Sequence, residues 1–354
     1  MVRIETIDAH TAGEPLRLIV SGFPSVKGKT ILEQREYVRR RHDHLRRALM
    51  LEPRGHADMY GALLTPPEHE GSQAGVLFMH NQGYSTMCGH GVIAVTTIAV
   101  ERNLIVVPRE ADGSVRITLD SPAGQIHARA VLAADAVAQQ AASPLRVTNV
   151  SFRNVPSFVL HASVPVVVRN RKVRADVAFG GAFYAIVDSE AVGIAIIPER
   201  LPDLRSAGME IKHAIEKAMK VEHPLEPQLK GIYGTIFTGP PTVDGADLRN
   251  VTIFADAEVD RSPCGTGTAA VMAVLAAMGM LAGPDQVFTP ESIIGTIFRG
   301  RVAGTTALPI PTSQPPPPKV LDAIIPEIEG EAYITGENTF LIDDRDPLRH
   351  GFRL

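Results

Sequence analysis

A mixed, largely antiparallel α+β architecture is expected of this chain, for three reasons. Many short segments with strand chemistry are interspersed with only a few helical ones, the pattern of α+β rather than doubly wound folds. No G-x-G-x-x-G opens a helix after the first strand and no G-x-x-x-x-G-K-S/T occurs, so the fingerprints of a nucleotide-binding sheet are missing. A Cys-Gly-x-Gly motif occurs twice, about half a chain apart, which points to two similar domains.

The elements follow in order. Ile4, Thr6 and Asp8 share one face of an opening strand, and Leu16, Leu18 and Val20 share one face of the next, with a turn at Gly13-Glu14-Pro15. Leu32, Tyr37, Val38, Leu45 and Leu49 fall at helical spacing and predict a helix over 31–50. Its basic run, Arg39, Arg40, Arg41, Arg46 and Arg47 among His42, Asp43, His44 and Leu45, reads as a solvated helix face. Strands are expected at 61–64, 75–80, 115–119 and 125–131, then an Ala-rich surface connection over 131–145 with a turn at Ser143-Pro144. Further strands are expected at 147–152, 157–168 and 182–187, and Gly180-Gly181 marks a bulge or a close backbone approach. A helix over 208–222 precedes strands at 232–237 and 251–254. Gln314 and the prolines 315–318 read as an extended polyproline loop, and 332–342 as one or two final strands.

The 354 residues suffice for two ordinary domains or one large one. With 35 Lys+Arg against 39 Asp+Glu the net charge is −4, which argues against a general nucleic-acid binder. Hydrophobic residues at 45% and charged residues at 21% fit a soluble globular protein. No apolar run reaches the roughly 18 residues of a membrane span, and MVRIETIDAH reads as a strand rather than a secretory signal. The two cysteines, Cys88 and Cys264, are too few for a disulfide scaffold or a four-cysteine metal site, so a reducing cytoplasm is the default location.

The informative feature is the echo between Met87-Cys88-Gly89-His90-Gly91 and Pro263-Cys264-Gly265-Thr266-Gly267, each followed by a long apolar run with small residues. The cysteines lie 176 positions apart. Runs that are apolar all round predict two helices buried within their domains, with each motif at a helix N-terminus. Glycines there admit a close ligand. The first-turn N–H groups have no intrahelical partner, carry the positive dipole end and suit a carboxylate. The same end lowers the pKa of a neighbouring thiol. Two such ends facing one another would hold a substrate carboxylate and flank the adjacent carbon with thiols. A proton could then leave one face of Cα and another arrive at the opposite face.

Other readings stand beside this one. Free cysteines are commonly inert core residues, a disulfide is odd in the cytosol, and Cys88, His90 and Cys264 have poor spacing for zinc. Asp260 suits a substrate ammonium or imino nitrogen, or else a turn. His90 suits a substrate contact or orientation of the thiol, or else first-turn packing. His10 and Glu14 read as structural.

At these residues the chain resembles the proline racemase superfamily, which includes proline racemases, 4-hydroxyproline 2-epimerases and trans-3-hydroxy-L-proline dehydratases. The resemblance runs from DAHTAGEPLRL to DDRDPLRHGF, with MCGHG and DRSPCGTGT as its most specific motifs. It implies two pseudo-twofold-related domains of the diaminopimelate-epimerase type, each a mixed, mostly antiparallel sheet around a central helix. It also implies no cofactor, no metal, and catalysis in the cleft between the domains. Carried over by motif, Cys88 and Cys264 are the acid–base pair, and Gly89, His90, Asp260, Gly265 and Thr266 are substrate contacts.

The expected domains are 1–180, completed by about 335–354, and 181–334. LEPRGHADMYGALL, FMHNQGYSTMCGHG, FGGAFYAIV and IYGTIF with FADAEVDRSP look most like the dehydratase branch, whose members often carry Thr in place of the second Cys; this chain has Cys264. Two thiols point to a racemase or epimerase acting on proline or hydroxyproline, since each face then has a competent proton donor. Dehydration of trans-3-hydroxy-L-proline is the alternative, and a two-thiol enzyme can do both. Rivals from other classes are a non-catalytic imino-acid binder and a metal-dependent hydrolase. A small imino acid is the expected partner, with no nucleic acid and no membrane, and a homodimer is the commonest assembly of such enzymes.

Overall fold

The computed structural model describes residues 1–133, 145–310 and 320–353. The polyproline run and most of the Ala-rich stretch lie outside the described residues. Two compact units divide the chain: Met1–Phe152 with Glu329–Leu354, and Arg153–Ile328.

In unit 1, strands β1 (Val2–Thr11), β2 (Glu14–Ser21), β3 (Tyr60–Thr65), β4 (Ala74–His80), β5 (Val115–Ser121), β6 (Gly124–Leu132) and β7 (Val147–Arg153) join the last strand of the chain, β17 (Ala332–Ile342). Their order is β7-β6-β5-β4-β3-β2-β1-β17. The opening pair is antiparallel as expected, and β1 also pairs along its length with β17. Two pairs are parallel, β2 with β3 and β4 with β5. Each needs a crossover, which helices α1 (Ile31–Arg41) and α2 (Asp43–Met50) supply for the first and α3 (Gly89–Glu101) for the second.

The expected long helix is thus two. Thr30 and Glu33 form a capping box that starts α1, and the chain breaks at His42. Arg46 corrects the reading of the basic run as solvated. Its side chain is buried, pairs with Asp43 at 2.6 Å and donates to the carbonyls of His80 and Asn81, both at 2.7 Å. That contact ties α2 to the end of β4. Arg39, Arg40 and Arg41 do face solvent.

Unit 2 contains β8 (Phe158–Val168), β9 (Arg171–Phe179), β10 (Phe183–Asp188), β11 (Gly234–Gly239), β12 (Leu248–Phe254) and β13 (Glu258–Asp260), in the order β13-β12-β11-β10-β9-β8. A short β14 (Pro290–Glu291) pairs with β12, and β15 (Arg299–Pro309) neighbours β16 (Val320–Gly330). Helix α4 (Leu201–Ala218) connects the parallel β10 and β11, and α5 (Gly265–Ala277) comes after β13. The division falls at 152/153 and 328/329 rather than at 180/181 and 334/335. Antiparallel pairing of β8 with β9 and of β9 with β10 keeps residues 153–180 in the sheet of unit 2.

The two units repeat one connection order. A strand leads through helix to a parallel neighbour, then comes an antiparallel strand, then a cysteine-led helix. In unit 1 this is β2, α1 and α2, β3, β4, α3; in unit 2 it is β10, α4, β11, β12, with β13 before α5. Both cysteine-led helices are interior elements. Every residue of α3 from Gly89 to Val100 is buried, as is every residue of α5 from Gly265 to Val274. α3 packs on β1, β2, β3, β6 and β17, and α5 on β8, β9, β10 and β15. Full burial of Ile93, Val95 and Ile98 alone stabilises unit 1 by about 1.5–3 kcal/mol each. That sets the two helix starts firmly inside their sheets. Among the described residues, no helix is long and apolar enough to cross a membrane.

Candidate active site

Cys88 is the N-cap residue of α3 and Cys264 the N-cap residue of α5. In each case the sulfur is the capping acceptor: Gly91 N–H donates to Cys88 Sγ at 3.2 Å and Gly267 N–H donates to Cys264 Sγ at 3.3 Å. An N-cap side chain normally offers oxygen to this third-residue amide; here a thiol does so twice. The second glycine of each motif is a consequence of that contact. A Cβ on Gly91 would lie 2.8 Å from Cys88 Sγ and 2.6 Å from Phe78, and one on Gly267 would lie 2.9 Å from Cys264 Sγ. Only glycine lets the sulfur approach its amide.

The two helix starts share this cap and differ elsewhere. In unit 1, Cys88 has ordinary extended backbone at φ −145°. His90 is buried with its ring against the sulfur, Nδ1 at 3.3 Å and Nε2 at 3.5 Å. Its ring meets Tyr60 edge-on at 4.8 Å, Tyr60 donates to Ser85 Oγ at 2.6 Å, and Thr11 Oγ1 donates to the His90 carbonyl. His10 accepts the Gly13 N–H within the first turn, and Glu14 is fully buried at the start of β2.

In unit 2, Cys264 lies at φ +64°, a left-handed conformation that costs a non-glycine residue on the order of 1–3 kcal/mol. Its neighbours hold it there. Cys264 N–H donates to Ser262 Oγ at 3.1 Å, and its carbonyl accepts Thr268 N–H at 2.7 Å. Asp260 is buried, and its Oδ1 accepts both the Ser262 N–H at 2.9 Å and the Ser262 hydroxyl at 2.6 Å. Asp260 therefore builds the turn into the cysteine. Thr266 Oγ1 lies 3.9 Å from Cys264 Sγ and 2.6 Å from the hydroxyl of Tyr184, which is itself 3.9 Å from the sulfur.

The helix start alone is expected to make the thiols acidic. At Cys264 the balance goes the other way. Burial pushes its pKa well above the ordinary thiol range and the Asp260 carboxylate adds to the rise, against the opposing Gly267 N–H and Thr252 hydroxyl. The macrodipole is a weaker influence than removal of the thiolate from water. Cys264 is thus held as a thiol at neutral pH. Tyr184 is likewise held protonated, by burial first and by the neighbouring Cys264 second.

Of the expected site residues, Cys88, Gly89 and His90 come together at the start of α3, and Asp260, Cys264, Gly265 and Thr266 come together at the start of α5. Tyr60, Tyr184 and Ser262 are additions. Tyr184 lies shortly after the Gly180-Gly181 pair, and that pair is a close approach: a Cβ on Gly180 would lie 2.2 Å from the Thr266 carbonyl oxygen. Among the described residues, no group of three or more His, Cys, Asp or Glu side chains is arranged to hold a metal ion.

Comparison with known proteins adds a family to this geometry. The family described as proline racemase matches residues 6–353. A Bacillus thuringiensis subsp. konkukian protein named trans-3-hydroxy-L-proline dehydratase is 46% identical over 349 residues, 99% of this chain and 97% of that protein. Proline racemase A of Trypanosoma cruzi is 42% identical over 353 residues, 98% of this chain and 81% of that protein. The crystal structure of a hydroxyproline epimerase from Agrobacterium vitis, with bound trans-4-OH-L-proline, has a TM-score of 0.85 at 30% identity, covering 100% of this chain and 97% of that one.

Proposed function

The chain belongs to the proline racemase family, and on that premise we propose that it inverts the Cα of proline or a hydroxyproline, with Cys88 and Cys264 as the acid–base pair. The observation that carries the reading is the matched cap, a sulfur bound to the third amide of a buried helix in each unit. A structural cysteine needs no such repetition. A two-base enzyme needs one proton carrier for each face of the carbon.

Chemically, Cα–H is a very weak acid, and negative charge grows on the substrate carboxylate as the proton leaves. The first-turn amides of Gly89, His90, Gly265 and Thr266 lie where a helix has no acceptor of its own, and amides aimed at developing charge are a large catalytic term. Asp260 and His90 bind the ring nitrogen or orient the thiols. In the resting enzyme Cys264 carries the proton, favoured by its burial and by Asp260, and Cys88, beside the His90 imidazole, is the base. One turnover exchanges these roles, and the opposite enantiomer is taken by the opposite form.

A second reading is favoured by the identity to a protein named trans-3-hydroxy-L-proline dehydratase. Abstraction at Cα is common to both reactions. Dehydration then expels the 3-hydroxyl to give a pyrroline carboxylate and needs only one base. Incubating the protein in D2O with proline, trans-4-hydroxy-L-proline and trans-3-hydroxy-L-proline separates the two. We expect product of inverted configuration carrying deuterium at Cα, read by NMR and chiral chromatography. Loss of water without inversion would replace the first reading by the second, and neither product from any substrate would refute both.

A further inference from the structure

Tyr184 stands at the corner of a buried triangle that the acid–base scheme leaves unused. Its hydroxyl is 2.6 Å from Thr266 Oγ1 and 3.9 Å from Cys264 Sγ, and the last two atoms are 3.9 Å apart. Tyr184 is fully buried on β10, while Cys264 and Thr266 begin α5. A phenol has one proton to donate and can accept as well. It therefore cannot donate to the sulfur and to the threonine at once.

We infer that Tyr184 is a positioning residue whose single O–H serves either Cys264 Sγ or Thr266 Oγ1, so that the protonation of the cysteine and the direction of the Thr266 hydroxyl change together. This deepens the reading above, in which Cys264 gives and takes a proton. When Cys264 has passed its proton to Cα, the thiolate attracts the Tyr184 O–H, since hydrogen bonds to ionised acceptors are the stronger ones. Tyr184 oxygen then accepts from Thr266. When Cys264 has taken a proton from Cα, the phenol turns back to Thr266 Oγ1, and the Thr266 hydrogen is released as a donor to the substrate. Only O–H bonds rotate; every hydroxyl proton stays on its own oxygen, and the one proton transferred within unit 2 is that between Cys264 and Cα.

The surroundings suit such a device. Burial keeps Tyr184 protonated, so it remains a donor. Among the described residues, the ionisable groups that act on Cys264 and Tyr184 are Asp260 on β13, beside the sulfur, and Tyr233, whose ring meets that of Tyr184 edge-on at 5.9 Å. The helix α5 contributes no ionisable side chain. Asp260 opposes ionisation of Cys264, so a donor that answers it matters most at this sulfur. In unit 1, the Tyr60 hydroxyl donates to Ser85 and the histidine ring lies against Cys88, so the device belongs to unit 2.

The test is site-resolved labelling of the full-length protein with iodoacetamide, which reacts with thiolate and so reads the thiolate fraction at one fixed pH. Peptide mapping separates Cys88 from Cys264, the chain's two cysteines. Tyr184→Phe is expected to slow labelling of Cys264 about 10- to 100-fold, the worth of a hydrogen bond to a charged group, and to leave Cys88 unchanged. Thr266→Val removes the competing acceptor and is expected to speed labelling of Cys264. This opposite sign is one that a merely structural role would not give, and it can be read even if Tyr184→Phe fails to fold. Tyr184→Phe should also lower kcat far more than it alters KM. Unchanged Cys264 labelling in Tyr184→Phe, or slower labelling in Thr266→Val, overturns the inference. If the wild-type protein turns over no imino acid, the proposed function fails while the labelling still decides the relay.

Discussion

Cys88→Ser is expected to abolish both inversion and dehydration, whereas Cys264→Ser abolishes inversion alone. A positioned acid or base contributes about 10²–10⁴-fold, so turnover should fall by roughly that factor or more. Serine is a good test of chemistry because it is also a good N-cap. It can accept the Gly91 or Gly267 amide as the sulfur does, so the helix starts survive and a loss of rate is not a loss of fold. Its hydroxyl is too weak an acid to return a proton to Cα. With Cys264→Ser, the enantiomer whose Cα–H faces Cys88 should still exchange that hydrogen for deuterium with retention, and trans-3-hydroxy-L-proline should still lose water if the chain is competent in that reaction. Calorimetry should show imino-acid binding retained in both variants. Unimpaired inversion in either would remove the two-thiol mechanism.

Gly180→Ala is expected to disrupt the start of α5 and to lower both stability and turnover. The new Cβ would meet the Thr266 carbonyl oxygen at 2.2 Å and the Ala270 nitrogen at 2.7 Å. Both are backbone atoms of the first turns of α5, so no side chain can rotate out of the way. Gly180 is itself held, donating to the Ala182 carbonyl at 3.0 Å and accepting from Asn154 Nδ2 at 2.8 Å. The helix must shift, carrying Cys264 and Thr266 with it. Overpacking of this kind costs about 1–3 kcal/mol and sometimes more; with backbone on both sides, the upper end is expected. Urea unfolding should detect it as a lowered midpoint, accompanied by loss of turnover. Gly304→Ala is the control, because its nearest neighbour would be a flexible Ile325 methyl at 3.8 Å.

The two cysteine caps are legible in the sequence because their determinants are local. A cysteine caps a helix through the amide three residues on, the third residue must then be glycine, and the adjoining run must be apolar because the helix is interior. Those three requirements produce Cys-Gly-x-Gly and its apolar tail, and the repeated connection order of the two units places it twice. Features that depend on distant neighbours are not legible. The acidity of Cys264 turns on its burial and on Asp260, which reverse the effect of the helix start. Its left-handed backbone and the Tyr184 hydroxyl beside it are equally products of tertiary placement.

The fold shows the same division. Strand β9 is hidden in the sequence because Arg171, Lys172 and Arg174 occupy its exposed positions and mask the alternation. β15 and β16 are hidden because Gly300, Gly304 and Pro309 punctuate the first and a solvated face dilutes the second. α4 starts at Leu201 rather than at 208, since Pro202 reads as loop yet fits the first helical turn, where its missing N–H costs nothing. The break at His42 has no local breaker. Arg46, anchored on the carbonyls of His80 and Asn81, instead ties α2 to the end of β4.

The central claim is that one thiol serves each face of a single Cα. A crystal structure with pyrrole-2-carboxylate, whose planar ring carbon imitates the proton-stripped substrate, tests it most directly. The Cys88 and Cys264 sulfurs are expected on opposite faces of that carbon, each at about 3.5 Å, with the carboxylate on the amides that begin α3 and α5. Both sulfurs on one face, or a ligand bound away from either, would contradict it.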